Sequence, residues 1–275
     1  MEKTEINEKF LEEYGSDDAV RKYTAGTAGF GINYLLHHDY ARIYLDAVGS
    51  FLTDSPQRPL RILEFGCGAG MNVINLVSLL EQKGIAVECA YGTDFSERLV
   101  QSATQEAKAS LTPGLAKKLS FHVARNELLV EDLASASGKP AHDFLGFFDL
   151  IIGVNTFRYC HRLGKERDCA NDIYRMLRAG GVCVNIDMND RFPAFRSRLN
   201  GTTEDAGECY IPSLDEYAAP FKAAGFEIKS KRNFCWIPHS AGPALTFFCR
   251  LAGPVLNLVL PSRAMRSLVV ARKTN

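Results

Sequence analysis

The sequence predicts an α/β fold: a doubly wound, mostly parallel sheet of seven strands with a helical cap at its N-terminus. Three observations carry this. From Pro59 onward, short apolar runs alternate with stretches of helical periodicity. The run Phe148 to Val154 is apolar almost without interruption, as in a parallel strand covered on both faces. With 275 residues, 46% of them hydrophobic and 23% charged, the chain can close one large core.

The elements follow in order. Arg61 to Phe65 reads as the first strand, closed by Gly66, Gly68 and Gly70. Met71, Ile74, Val77 and Leu80 recur at helical spacing, so a helix over Met71 to Gln82 opens directly from the glycines. Val87 to Gly92 is the second strand, and Ser96 is suited to cap the helix after it. Leu119 to Ala124 is the third strand and Phe148 to Val154 the fourth. A helix over about Lys165 to Arg178, stopped by Gly180 and Gly181, leads to the fifth strand at Val182 to Ile186. An irregular stretch rich in Arg, Asn and Gly precedes a helix from Ser213 or Leu214 to Gly225. Phe226 to Trp236 and Ser267 to Ala271 complete the sheet. Residues 1–55 are expected to form the helical cap over a ligand site. Residues 56–275 form the core, with insertions at about 188–212 and 238–265.

Composition narrows the function. The formal net charge is zero, which argues against a nucleic-acid partner. The charge is nevertheless unevenly placed: the first twenty residues are acidic, and no acidic side chain follows Glu227. The cysteines form no C-x-x-C pair, several lie in apolar runs, and no metal site is expected. No apolar leader precedes Asp18, so the reading is a cytoplasmic, reducing setting. The most apolar stretch, Ala244 to Leu260, contains Arg250 and a Gly253-Pro254 break. It falls short of the roughly 20 apolar residues of a spanning helix. The insertion at 238–265 reads first as a core or homodimer helix; covering a hydrophobic substrate and peripheral contact with an anionic membrane are the other options.

The chemistry concentrates at Glu64-Phe65-Gly66-Cys67-Gly68-Ala69-Gly70, an acid near a strand end followed by a glycine turn that opens a helix. Such a turn brings bare backbone against a ligand. The dinucleotide fingerprint wants a glycine where Met71 stands, which disfavours a nicotinamide-dependent oxidoreductase. Asp94 closes the second strand, where a carboxylate can accept both hydroxyls of a ribose.

These motifs resemble class I S-adenosylmethionine-dependent methyltransferases, a Rossmann-like family. The resemblance extends through Phe148-Asp149-Leu150-Ile151-Ile152 and Leu177-Arg178-Ala179-Gly180-Gly181-Val182, in the family's order. It implies S-adenosyl-L-methionine as cofactor, with Glu64, Gly66, Cys67, Gly68 and Gly70 around its amino-acid part. It also implies Asp94 on the ribose and Phe95 beside the adenine. In the slot after the third strand, where relatives place an acid, stand Asn126 and Glu127. Asn155 opens the segment after the fourth strand, which carries no N-P-P-Y, so the resemblance points to a small-molecule acceptor in a biosynthetic pathway. A binding or scaffold protein of the same fold is the alternative. Ligands in open α/β sheets bind at the carboxyl ends of the strands, which nominates His161, Tyr159 and His239 for catalysis. His37 and Tyr34 in the cap, with Arg191 and Arg196 after the fifth strand, are the candidates for substrate binding.

Overall fold

The structure is a computed structural model and describes residues 35–36, 39–54, 58–193, 211–238 and 241–274. Seven strands form one sheet: β1 (Leu60–Phe65), β2 (Val87–Asp94), β3 (Leu119–Val123), β4 (Phe148–Val154), β5 (Leu177–Met188), β6 (Phe226–Phe234) and β7 (Arg266–Lys273). Their order is β3-β2-β1-β4-β5-β7-β6. All neighbours are parallel except β7, which runs antiparallel to both β5 and β6. The chain moves outward from β1 to β3, then returns to β4 on the other side of β1. A crevice therefore opens at the carboxyl ends of β1 and β4, the place where such sheets hold ligands.

The helices are α1 (Tyr40–Asp54), α2 (Met71–Gln82), α3 (Glu97–Ser110), α4 (Pro113–Ala116), α5 (Leu129–Ser137), α6 (Phe157–Leu163), α7 (Glu166–Met176), α8 (Leu214–Ala223) and α9 (Pro243–Val259). Strand alternation divides the core into two layers. Leu60 and Ile62 of β1 join Tyr40 and Tyr44 of α1 and Val73, Leu76 and Val77 of α2 on one face. Leu63 and Phe65 join Leu129 and Leu133 of α5, Phe157 of α6, Ile173 of α7 and Phe221 of α8 on the other. A helix thus stands N-terminal to the sheet core, on the face shared with α2.

Several expectations change. The fifth strand begins at Leu177 rather than Val182, because Phe148 pairs with Leu177 and a register shift carries the pairing past Gly180 to Val182. The helix before it therefore stops at Met176. The Gly253-Pro254 pair does not break its segment: α9 continues through Pro254. A proline in a helix forfeits the hydrogen bond to the carbonyl four residues back. Here that residue, Arg250, is exposed. Nor is α9 a core helix, since Thr246 is its one buried residue. No helix among the described residues is long and apolar enough to cross a membrane. Their cysteines are all free thiols, and they hold no cluster of metal-ligating side chains.

Candidate active site

The turn after β1 takes its shape from three glycines with positive φ, Gly66, Gly68 and Gly70. A side chain on Gly66 is excluded, since a Cβ there falls 1.9 Å from Thr156 Oγ1. A Cβ on Gly68 meets nothing within 4 Å, so its bare backbone borders open space at the carboxyl edge. The turn is tied to β2 at two points. The Cys67 N–H donates to the Thr93 carbonyl at 2.7 Å, and the Gly68 N–H donates to Asp94 Oδ2 at 2.9 Å.

Asp94 ends β2 almost fully buried, and its Oδ1 accepts the Ser96 N–H at 2.9 Å. Ser96 is the N-cap residue of α3 as expected, but its side chain makes no capping bond; its own N–H is the one that Asp94 takes. Burial pushes the Asp94 carboxyl up to about 6, opposed by the Ser96 and Gly68 N–H groups. Phe95 is half-buried beside it.

Glu64 faces inward. Its Oε2 accepts the Val73 N–H at 2.8 Å and its Oε1 the Asn72 amide at 3.1 Å, so it clamps the first turn of α2 to β1. Desolvation raises its carboxyl to about 8. Asn126 bridges from the end of β3 to that of β4, its amide donating to Thr156 Oγ1 at 2.8 Å, directly over Gly66. Glu127 instead lines a cavity of ≈ 550 Å³ against α7, with Glu131 and Arg175 among its neighbours.

A second polar group occupies the ends of β4, β5 and β7. Asn155 has a left-handed φ of 56°, a conformation that asparagine adopts more readily than other side-chain-bearing residues. Its Oδ1 accepts from Arg266 Nη1, and its N–H donates to the Ile186 carbonyl. Arg266 is 1% exposed. Asp187, wholly buried, accepts the Arg158 N–H at 3.0 Å, with the Arg158 Nε 3.8 Å from its other oxygen. Burial raises the Asp187 carboxyl, while Arg158 and Arg266 oppose the rise. The Arg158 guanidinium lies 4.3 Å from the Tyr159 ring centre and donates to the Tyr159 hydroxyl.

His161 lies one turn along α6, its ring edge-on to Phe157 and Tyr217. Its Nε2 is buried and has no hydrogen-bond partner among the described residues. Burial lowers its pKa below the usual imidazole value, against the pull of Glu166 and Glu216. Asn189 is structural, its amide donating to the Ser262 and Ala264 carbonyls. Arg191 is exposed and donates its N–H to Asn189 Oδ1. Tyr34, His37, Arg196 and His239 lie outside the described residues.

Over residues 57–225, more than half of the sequence, the chain matches a family model described as a methyltransferase domain. It belongs to the methyltransferase domain family. This enzyme is similar to the non-reducing polyketide synthase Preu3 of Preussia isomera, 33% identical over 113 residues, which is 39% of this chain and 4% of that protein. It is 28% identical over 181 residues to the non-reducing polyketide synthase tazA of Aspergillus terreus, 66% of this chain and 6% of that protein. The methyltransferase thus spans a small fraction of these curated relatives. Among solved structures, the citrinin polyketide synthase CMeT domain superposes with a TM-score of 0.59 at 18% identity, covering 97% of this chain and 59% of that one. The Haemonchus contortus phosphoethanolamine N-methyltransferase 2, in complex with S-adenosyl-L-methionine, gives a TM-score of 0.56 at 13% identity, covering 97% and 60%. Both share the fold. The cofactor of this methyltransferase is S-adenosylmethionine, and the open space beside Gly68, bordered by a buried carboxylate at the end of β2, fits it.

Sequence reasoning missed Arg158, Thr156 and Arg266. Thr156 and Arg158 stand inside the segment that departs from the family pattern. Arg266 reaches Asn155 across 111 positions, with no local signal.

Proposed function

We propose that this enzyme transfers the methyl group of S-adenosylmethionine to a small, acidic organic acceptor of the enol or phenol type. The observation that carries this reading is the juxtaposition, at one sheet edge, of the Gly68–Asp94 pair with Arg158, Asp187 and His161 after β4 and β5. Similarity to two polyketide synthases supports an enolisable or phenolic acceptor.

Gly66, Cys67, Gly68 and Gly70 would seat the amino-acid part of the cofactor, and Asp94 the ribose. Phe95 and Asn126 would border the base. Glu64 serves by fixing the helix that opens from the turn. When bound, the cofactor supplies an activated methyl group, which leaves the protein to place and deprotonate the acceptor. His161 would take the acceptor's proton once its ring turns Nε2, covered in this conformation and without a partner among the described residues, toward the crevice; burial lowers its pKa, which keeps that nitrogen neutral. Arg158, held by Asp187, attracts the resulting anion, and Tyr159 forms the adjoining wall. An anionic acceptor beside a guanidinium is stabilised more in a dry site than in water.

The test is release of S-adenosylhomocysteine with phenol and 1,3-dicarbonyl acceptors. His161→Gln is expected to lower kcat about 10²–10⁴-fold and to remove the acid limb of the pH profile. Cofactor affinity should be unchanged. A variant with full kcat and the original pH profile would show that His161 is not the base.

A further inference from the structure

We propose that α9 docks on the headgroup region of an anionic phospholipid bilayer and turns the carboxyl edge of the sheet toward it. The helix lies on the protein through Thr246, which is buried, and Cys249, packed against the core. Its outer side is apolar over its whole length. Phe247, Leu251, Val255 and Leu258 follow one another at helical spacing, 64%, 68%, 62% and 83% exposed, with Phe248 and Val259 beside them. Single exposed apolar residues are ordinary; a continuous stripe of this kind marks an interaction surface.

Charge selects the occupant. From Ile228 to the chain end no aspartate or glutamate occurs. Arg250 within the helix and Arg263 just past its end are exposed, and neither has a carboxylate ion pair among the described residues. A two-fold contact of stripe on stripe would bring Arg250 and Arg263 of both chains together. Lipid phosphates and carboxylates would pair with these arginines, while acyl chains receive the phenylalanines and leucines. At 17 residues, α9 lies in the interface rather than crossing it.

The topology gives the docking a consequence. The helix leaves β6 at its carboxyl end, and β6 points the same way as β5, because β7 runs antiparallel to both. The apolar stripe therefore stands at the edge that carries the glycine turn and Asp94. Arg250 donates to the Leu36 carbonyl, joining α9 to the segment before α1. That the edge so presented is a methyl-transfer site rests on the function proposed above; the docking itself does not.

The experiment is sedimentation of the full chain, without cofactor, with vesicles of phosphatidylcholine and of phosphatidylcholine mixed with phosphatidylserine. The chain should bind the mixed vesicles, and added salt should weaken the binding. Leu251→Glu should weaken it roughly tenfold or more, and Arg263→Ser by about fivefold. Both variants should keep the parent's circular dichroism and S-adenosylmethionine binding, which separates a failure of docking from a failure of the methyl-transfer reading. A chain that stays in solution with both vesicle types overturns the proposal. So does binding indifferent to both substitutions. A dimer that Leu251→Glu dissociates, in a chain that ignores vesicles, gives the stripe to a second copy instead.

Discussion

Asp94 and Glu64 are both buried acids near the glycine turn, yet their partners separate their roles. Asp94 gives its oxygens to two loop N–H groups at the open edge, whereas Glu64 gives both of its to the start of α2. Because burial raises Asp94 to about 6, a cofactor whose ribose hydroxyls donate to the carboxylate binds its ionised form. S-adenosylmethionine affinity should therefore rise up to about tenfold per pH unit below about 6 and level off above it. Calorimetry across that range on the parent and on Asp94→Asn checks this, and the variant should show no such rise. The Glu64 prediction concerns stability. With its carboxyl near 8 in the folded chain and the usual value at 4.5, the folded state binds the extra proton between those limits. Stability of the cofactor-free chain should fall as pH rises through that window. Glu64→Gln should flatten the melting temperature against pH; a parent that becomes more stable from pH about 6 to about 8 would contradict the assignment.

At the scale of elements, the turn between β1 and α2 makes two glycines, separated by Cys67 alone, unequal. Alanine at position 66 collides with Thr156, which Asn126 already holds, and should cost more than about 2 kcal/mol in urea unfolding. Alanine at position 68 meets open space and costs only its left-handed φ, about 1–2 kcal/mol. It should fold and lose cofactor binding, because its methyl group occupies the ligand's side of the turn. The strands and this turn were legible in the sequence because each is a local pattern: Phe148 to Val154 by its apolar run, Gly66 to Gly70 by its spacing. Helix α9 was read first as a core or dimer helix because apolarity along the chain does not say which face is covered; the core placement fails, since its apolar stripe is exposed. The Asn155–Arg266 and Arg158–Asp187 pairs were illegible for a different reason. Each joins residues from separate strands or helices, and only the sheet order brings them together.

Across the described sheet, the amino edge carries an ionic cluster of its own, at the opposite end of the strands from the proposed chemistry. At the amino edge, buried Asp149 accepts the Arg61 N–H at 2.8 Å and a bond from the Arg178 side chain, with Arg58 at 3.4 Å. Asp149→Ala should lower stability by about 2–3 kcal/mol, the cost of losing hydrogen bonds to a charged group. S-adenosylmethionine affinity should be untouched, since Asp94 and the glycine turn stand at the other end of the strands. Everything proposed for the enzyme follows from that far edge being the cofactor site. Its most direct test is calorimetric titration of the intact chain and of Asp94→Ala with S-adenosylmethionine. Micromolar-range binding to the intact chain is expected, weakened by about 1–3 kcal/mol in the variant as buried polar groups lose their partner. An intact chain that ignores S-adenosylmethionine, or a variant that binds it equally well, would contradict it.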